Sequence, residues 1–158
     1  MYVNSRAIIE RETAGGTEIL LQVRDRPNEP QQLELPGGQI EEYESILGAL
    51  AREVKEETGL TVTAILDETD QTVWSDGLVT VECLRPFCAY QTTQGPIDSI
   101  GFYFRVHAEG DLLHRGDGSY GHRWVPVRDL AAQVAAAPGQ FSWLTNGVLQ
   151  HYFRVVRS

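Results

Sequence analysis

Three glutamates, Glu53, Glu56 and Glu57, stand at a spacing that one turn of an α-helix would bring to a common side. At about 100° per residue, they fall within an arc of roughly 100°. Carboxylates this close repel one another, each pair by about 0.2 to 0.5 kcal/mol on an isolated helix. A hard divalent cation such as Mg²⁺ or Mn²⁺ would compensate, because it binds oxygen ligands and often shares them with phosphates. The spacing therefore predicts a metal site, and the alternative is a solvated helix face without chemistry.

Arg52 and a glycine turn flank these acids. Arg52 precedes Glu56 by one helical turn, but a single guanidinium cannot balance three carboxylates and also leave their oxygens free. The turn Pro36-Gly37-Gly38 contains two residues without a Cβ, which lets the backbone approach a neighbouring group closely. A main-chain carbonyl of Gly38 or Gly37 can therefore join the carboxylates as a ligand.

A helix must position the acids. We predict that it runs from Glu44 to Thr58, because Gly59 can adopt the left-handed conformation that ends helices. The preceding acids Glu41 and Glu42, together with Glu44, suit the positive end of the helix dipole. The predicted core-facing stripe of this helix consists of Leu47, Leu50, Ala51, Val54 and Thr58.

Residues 38 to 60 resemble the Nudix box, G-x5-E-x7-R-E-U-x-E-E-x-G-U with U an aliphatic residue, at every defined position. The matching residues are Gly38, Glu44, Arg52, Glu53, Val54, Glu56, Glu57, Gly59 and Leu60. The preceding Leu-Pro-Gly-Gly turn and the segment 124–130 are also similar to the family. Average residue frequencies give so complete a match by chance at most about once in ten million chains of this length. The resemblance is therefore specific.

The resemblance implies a fold and a reaction. Nudix proteins form an α/β/α sandwich around a mixed β-sheet, with the box as a loop-helix-loop at the sheet edge. They hydrolyse a pyrophosphate bond in a nucleoside diphosphate linked to another moiety. The implied cofactor is Mg²⁺, with Mn²⁺ as a substitute, and the implied partner is a small nucleotide-derived diphosphate substrate.

The resemblance also implies roles for single residues. The expected metal ligands are Glu53, Glu56, Glu57 and the carbonyl of Gly38 or Gly37. Glu53 is in addition the candidate catalytic base. Arg52 and Glu44 are expected to orient the catalytic acids, through an ion pair with each other.

The loop before the segment Arg123-Trp124-Val125 departs from the family pattern. Many members carry a further glutamate there, whereas residues 109 to 122 offer none near the expected place. Asp117 and His122 are candidates for its role, although each is also typical of a solvated loop residue. The identity of the general base stays open at this point.

Aromatic and basic residues outside the box are candidates for substrate binding. Trp74 and Phe104 can stack a nucleobase, which contributes about 1 to 3 kcal/mol per base in other nucleotide sites. Arg85 can bind phosphate through paired hydrogen bonds, or it can serve a surface ion pair. Strand alternation instead favours Phe102 and Phe104 as a core pair. The proline that marks many ADP-ribose hydrolases is absent, since Trp74 and Ser75 stand in its place.

The chain has 158 residues, 42% of them hydrophobic, and a formal net charge of −9. These values predict one domain, residues 1–158, with a sizeable core. The acidic charge argues against a nucleic-acid polymer as partner, because duplex binding depends on Lys and Arg. Since no long apolar run or signal peptide is present, we expect a cytoplasmic protein without membrane contact, either a monomer or a homodimer.

Strand and helix signals alternate along the rest of the chain. The predicted strands and extended segments are Tyr2 to Glu10, Thr17 to Arg24, Gln32 to Leu35, Thr61 to Leu66, Leu78 to Tyr90, Ser99 to Ala108 and His122 to Val127. Two further helices are predicted, Asp129 to Ala137 and Ser142 to Val156, with Ser142 as the N-cap of the second. This order of elements predicts a mixed sheet covered by helices.

These features favour a Mg²⁺-dependent Nudix hydrolase. A nucleoside triphosphate is the preferred substrate, because the chain is short and lacks the ADP-ribose proline. A nucleotide-sugar or dinucleotide pyrophosphatase is the close alternative. From another class, a Nudix-fold sensor that binds nucleotides without turnover stays open. Three mutually repelling acids would, however, be a needless cost in a domain that binds no metal.

Overall fold

A computed structural model describes residues 1–156. Its strands are β1 (Tyr2–Thr13), β2 (Gly16–Arg24), β3 (Leu33–Glu34), β4 (Gly37–Gln39), β5 (Thr61–Ile65), β6 (Thr72–Ser75), β7 (Thr80–Cys83), β8 (Cys88–Gln91), β9 (Ser99–Glu109), β10 (Arg115–Gly116) and β11 (Ser119–Pro126). Its helices are α1 (Ile46–Thr58), α2 (Val127–Ala136) and α3 (Trp143–Val155), with a 3₁₀ turn at Pro138–Gln140. None of the helices in this part of the chain is long and apolar enough to cross a membrane.

One mixed sheet holds most of the strands, in the order β10-β11-β2-β1-β9-β5. β1 and β9 run parallel, whereas β1 with β2, β11 with β2 and β5 with β9 are antiparallel. β3, β4 and β8 pair with β2, β1 and β9 outside this path. The pairing of β4 with β1 fixes the turn glycines, because Gly37 lies opposite Arg6 and Gly38 opposite Ser5.

Helices cover both faces of this sheet. Val54 of α1 packs in an apolar cluster with Ala7 of β1. Leu130 of α2 and Leu149 of α3 pack in a second cluster with Ile8, the next residue of β1. Because successive strand residues point to opposite faces, α1 lies on one face and the other two helices lie on the other. The predicted α/β/α sandwich around a mixed sheet is confirmed.

The predicted strand from Leu78 to Tyr90 is wrong as a single element. It divides into β7 and β8, and Pro86 between them has no N–H to donate to a sheet. β7 pairs instead with β6, a strand that was not predicted, in a separate two-stranded hairpin. The side chain of Trp74 stands on this hairpin, which places it apart from the main sheet.

The box helix α1 begins at Ile46, two residues later than predicted. Ser45 is its N-cap, because its φ of −67° and ψ of 151° are extended and its Oγ accepts a 3.0 Å hydrogen bond from Gly48 N–H. Glu44 therefore precedes the helix. From there its side chain extends along α1 to Arg52, about two turns further along the chain.

Smaller corrections concern the other helical positions. Within the predicted stripe of α1, Ala51 is exposed, and Ala49 is the buried alanine. Helix α2 begins at Val127 rather than at Asp129. The predicted N-cap of α3 at Ser142 is confirmed, since its Oγ accepts a hydrogen bond from the first turn of the helix.

Candidate active site

The Arg52 guanidinium joins three glutamates of the box. Its Nε and Nη2 atoms donate to the two carboxylate oxygens of Glu44 at 2.7 and 2.9 Å, so the expected ion pair is present. Its Nη1 atom donates to Glu53 Oε1 at 2.8 Å and to Glu56 Oε2 at 3.1 Å. The hydrogen bonds from Arg52 lower the pKa of the Glu44 carboxyl to about 2. Glu44 therefore stays ionised and holds Arg52 against the other two acids.

Glu57 has different partners. It is 2% exposed, and its Oε2 atom accepts a 2.7 Å hydrogen bond from Gly37 N–H. Burial, followed by the charge of Glu34, raises the pKa of the Glu57 carboxyl to about 8. Burial also raises the pKa of Glu53, although the hydrogen bond from Arg52 opposes the shift. The two acids beside the glycine turn are therefore easier to protonate than ordinary glutamates.

Two glycines let the turn touch these acids. A Cβ at Gly38 would lie 2.5 to 2.7 Å from the carboxylate atoms of Glu53. At Gly37, φ is +149° and a Cβ would overlap the Arg6 side chain. A side chain at either position would therefore force a neighbour to move. The backbone of the turn contacts Glu53 at Gly38 and Glu57 at Gly37.

The carboxylates do not converge on one point. Among residues 1–156, no group of three His, Cys, Asp or Glu side chains is placed to hold a metal ion. Glu53 and Glu56 are hydrogen-bonded to Arg52, and Glu57 is hydrogen-bonded to Gly37. The predicted common arc therefore does not by itself bring the three carboxylates together as metal ligands. The donor chemistry still fits a hard divalent cation, because it consists of carboxylate oxygens beside the backbone of the glycine turn. The role of these acids as ligands stays a prediction.

The loop before β11 and the first residues of β11 pack against the C-terminal end of α1. Asp117 donates its backbone N–H to the Glu56 carbonyl at 3.1 Å. His122 places Nε2 at 2.7 Å from the Glu57 carbonyl oxygen, which can only accept, so Nε2 carries the proton. Burial lowers the pKa of His122, which favours this neutral ring. Ser119, which was not predicted, donates to the same carbonyl at 2.9 Å. His122 and Ser119 thus support the helix end.

The other predicted binding residues lie elsewhere. Phe104 is 1% exposed and belongs to the core beneath α1. Trp74 is 59% exposed on the β6–β7 hairpin. Arg85 pairs with Asp70 at 2.8 Å on the surface. None of these three side chains lines either of the two clefts beside the glycine turn, so the structure does not bring them to the acids.

Two clefts meet at this turn. The first, here called the acidic cleft, has a volume of about 680 Å³ and is lined by Gln39, Ile40, Glu41, Glu42, Arg52, Glu53, Glu56 and Asp117. The second cleft has a volume of about 710 Å³ and shares Gln39 with the first, while Gly37 and Gly38 stand in its wall. Both volumes are within the range of small-molecule sites.

The second cleft was not predicted, because its residues come from distant parts of the chain. Asn4 and Arg6 belong to β1, Arg24 ends β2, Glu34 belongs to β3, and Trp143 begins α3. No local spacing marks these residues as a set. The only available signal was the glycine turn itself, which predicts a close backbone approach but not what lies on its other side.

Relative to the parent at the same pH, Glu57→Gln is expected to raise the melting temperature of the metal-free protein more at high pH than at low pH. The folded pKa of Glu57, about 8, lies above its unfolded value of about 4.3. The stability that Glu57 contributes is therefore complete at pH values below its unfolded pKa. It is lost as the pH rises through its folded pKa. Measured in EDTA, the melting temperature of the variant minus that of the parent should rise by at least about 5 °C between about pH 5 and pH 9. A difference that does not change with pH would contradict this. Glu82→Gln, at an exposed position on β7, is the control measured beside it.

Comparisons with known proteins agree with this architecture. A family model described as NUDIX domain matches residues 1–146. A MutT protein from work on Aliivibrio salmonicida and Vibrio cholerae has a TM-score of 0.63 at 20% identity, over 98% of each chain. A MutT NUDIX hydrolase from Burkholderia pseudomallei gives 0.63 at 20%, over 94% of this chain and 95% of its own. A MutT protein from Methanosarcina mazei Go1 gives 0.61 at 19%, over 97% and 93%. No curated protein matches the chain by sequence.

Proposed function

The chain belongs to the Nudix hydrolase family, and from that premise we propose that it hydrolyses a nucleoside triphosphate with the aid of Mg²⁺. Pyrophosphate-bond hydrolysis in a nucleoside diphosphate derivative is the reaction class that membership implies. The triphosphate and the metal ion are the proposed parts. The products would be a nucleoside monophosphate and pyrophosphate.

One observation supports the proposal most. Gly38 brings the backbone against the Glu53 carboxylate at the place where the acidic cleft and the second cleft meet. A nucleotide with its nucleoside in the second cleft would have its phosphate chain beside this turn. The phosphate chain would then reach Glu53 and Glu56 without any large rearrangement of the protein backbone.

The residues then have separate tasks. Glu53, Glu56 and Glu57, with the carbonyl of Gly37 or Gly38, would hold the metal. When bound, the metal neutralises phosphate charge and lowers the pKa of the attacking water. Glu53 would accept the proton of that water as the general base.

Arg52 and Glu44 act through position. Arg52 Nη1 fixes Glu53 Oε1 at 2.8 Å, and the paired bonds to Glu44 fix the guanidinium. For the metal to bind, Arg52 must release oxygens of Glu53 and Glu56. Asp117 lines the same cleft and is the alternative base.

A substrate panel tests the proposal. The four common nucleoside triphosphates, ADP-ribose, a UDP-sugar and a diadenosine polyphosphate would be incubated with Mg²⁺, with Mn²⁺ and with EDTA. We expect a kcat/KM for one triphosphate at least about tenfold above that for the other classes, and no turnover in EDTA. Chromatography should show monophosphate and pyrophosphate as the products.

Two other results would replace the proposal. Faster cleavage of the UDP-sugar or the dinucleotide would assign the enzyme to that class. Tight nucleotide binding by calorimetry without turnover of any panel member would indicate the non-catalytic sensor. Turnover that is unchanged in EDTA would contradict the proposed metal.

A further inference from the structure

Two arginines of the second cleft lack a carboxylate partner. Most arginines in residues 1–156 have an Asp or Glu oxygen within 4.0 Å, as Arg24 and Arg52 do. The arginines of this region for which no such oxygen is present are Arg6, Arg26, Arg123 and Arg154. Of these four, Arg6 and Arg26 line the second cleft. Half of the arginines of this region that lack a carboxylate partner therefore lie at this cleft.

Arg6 is held by the backbone beneath the glycine turn. Arg6 lies opposite Gly37 in the β1–β4 pair, and its Nη1 atom donates to the Leu35 carbonyl at 3.2 Å. Its Nε atom is buried and has no hydrogen-bond partner. A guanidinium has five N–H donors, so most of the donors of Arg6 are unused by the protein.

The neighbouring acids Glu34 and Glu57 do not accept hydrogen bonds from the Arg6 guanidinium. Glu34 accepts from Gln22 Nε2 at 3.0 Å and from Arg24 Nη1 at 3.2 Å. Glu57 accepts from Gly37 N–H. Both carboxylates thus have other hydrogen-bond partners. The charge of Glu34 favours the ionised form of Arg6 and so raises its pKa, without a hydrogen bond between them.

Arg26 lies between the two clefts. Its Nη1 atom donates to the Asp117 carbonyl at 3.4 Å, and Asp117 lines the acidic cleft. Arg24, two residues earlier, differs, because Glu29 and Glu34 accept from two of its donors at 2.7 and 3.2 Å and pair its charge. Arg6 and Arg26 are therefore the arginines of the second cleft whose charge no carboxylate pairs.

We propose that Arg6 and Arg26 form an anion subsite that binds the phosphate attached to the nucleoside, independently of the metal. The inference rests on the proposed function, which places a phosphate chain beside Gly37 and Gly38. Phosphate oxygens suit guanidinium groups, which bind them through parallel hydrogen bonds. The subsite would hold the nucleotide end of the substrate while the acidic cleft holds the end that reacts.

Calorimetry in EDTA tests the subsite. The probes are AMP, GMP, CMP and UMP, each compared with its nucleoside, on the full chain. For the monophosphate that the parent binds best, we expect Arg6→Gln and Arg26→Gln each to raise Kd by at least about tenfold. Affinity for the matching nucleoside should change by less than about twofold. Arg6→Lys should lose less than Arg6→Gln, since it keeps the charge.

Arg154→Gln is the matched control, because Arg154 is exposed on α3 and lines neither cleft. Its replacement removes the same charge as the other two glutamine variants. The inference is overturned if the parent binds no monophosphate in EDTA, if the two glutamine variants bind it as the control does, or if nucleoside affinity falls equally. Arg26→Gln keeps the test valid should Arg6→Gln fail to fold.

Parallel assays with Mg²⁺ separate this inference from the proposed function. Turnover of a triphosphate with unchanged monophosphate affinity in the variants would reject the subsite and leave the function. Loss of monophosphate affinity in the variants of a protein that hydrolyses no triphosphate would do the reverse.

Discussion

Glu53→Gln is expected to lower kcat at saturating Mg²⁺ by at least about 10²-fold. The amide keeps the size of the side chain but cannot accept the proton of water or bind a cation as a carboxylate does. Because Glu53 is partly buried and bonded to Arg52 through one oxygen, the amide oxygen can retain that contact, so the fold should not change. Steady-state kinetics on the best substrate of the panel would measure the effect.

Glu82→Gln provides the comparison, since Glu82 is exposed on β7 and lines neither cleft. Its kcat should equal that of the parent. If Glu53→Gln retains kcat within a few-fold of the parent, the assignment of Glu53 is wrong. Asp117→Asn would then be the next variant to measure, because Asp117 lines the same cleft.

Gly38→Ala is expected to reduce kcat by a similar factor, about 10²-fold, through displacement of Glu53. The added Cβ would lie 2.5 Å from Glu53 Cδ and 2.6 and 2.7 Å from its oxygens. Contacts this short force either the carboxylate or the turn to move, and a displacement near 1 Å can cost such a factor in catalysis. Kinetics together with a crystal structure of the variant would show both consequences.

Gly139→Ala is the matched glycine variant, because a Cβ at Gly139 would meet nothing within 4 Å. It should leave kcat unchanged. The interpretation of Gly38 fails if its alanine variant keeps parental kcat, or if kcat falls while Glu53 stays in place in the variant structure.

The resemblance of residues 38 to 60 to the Nudix box implied an ion pair between Glu44 and Arg52. The ion pair of Glu44 and Arg52 is present. The direction of Glu57 could not be predicted from spacing, because it depends on Gly37 N–H, which the pairing of β4 with β1 places beside it.

The second cleft shows why the rest was out of reach. Its walls combine β1, β2, β3 and the start of α3, which meet only after the sheet has formed. Aromatic residues such as Trp74 and Phe104 were predicted by type alone, and their places are an exposed hairpin and the core. Residue type could not distinguish them from Trp143, which is 65% exposed beside the cleft.

Gly118, in the loop before β11, lies against Arg26, in the loop after β2. A Cβ at Gly118 would overlap the Arg26 guanidinium, and its φ of +66° disfavours any side chain. Any side chain at 118 and an arginine in the position of Arg26 therefore exclude each other in this backbone. Position 118 should consequently remain glycine in those natural variants of this chain that keep an arginine at 26.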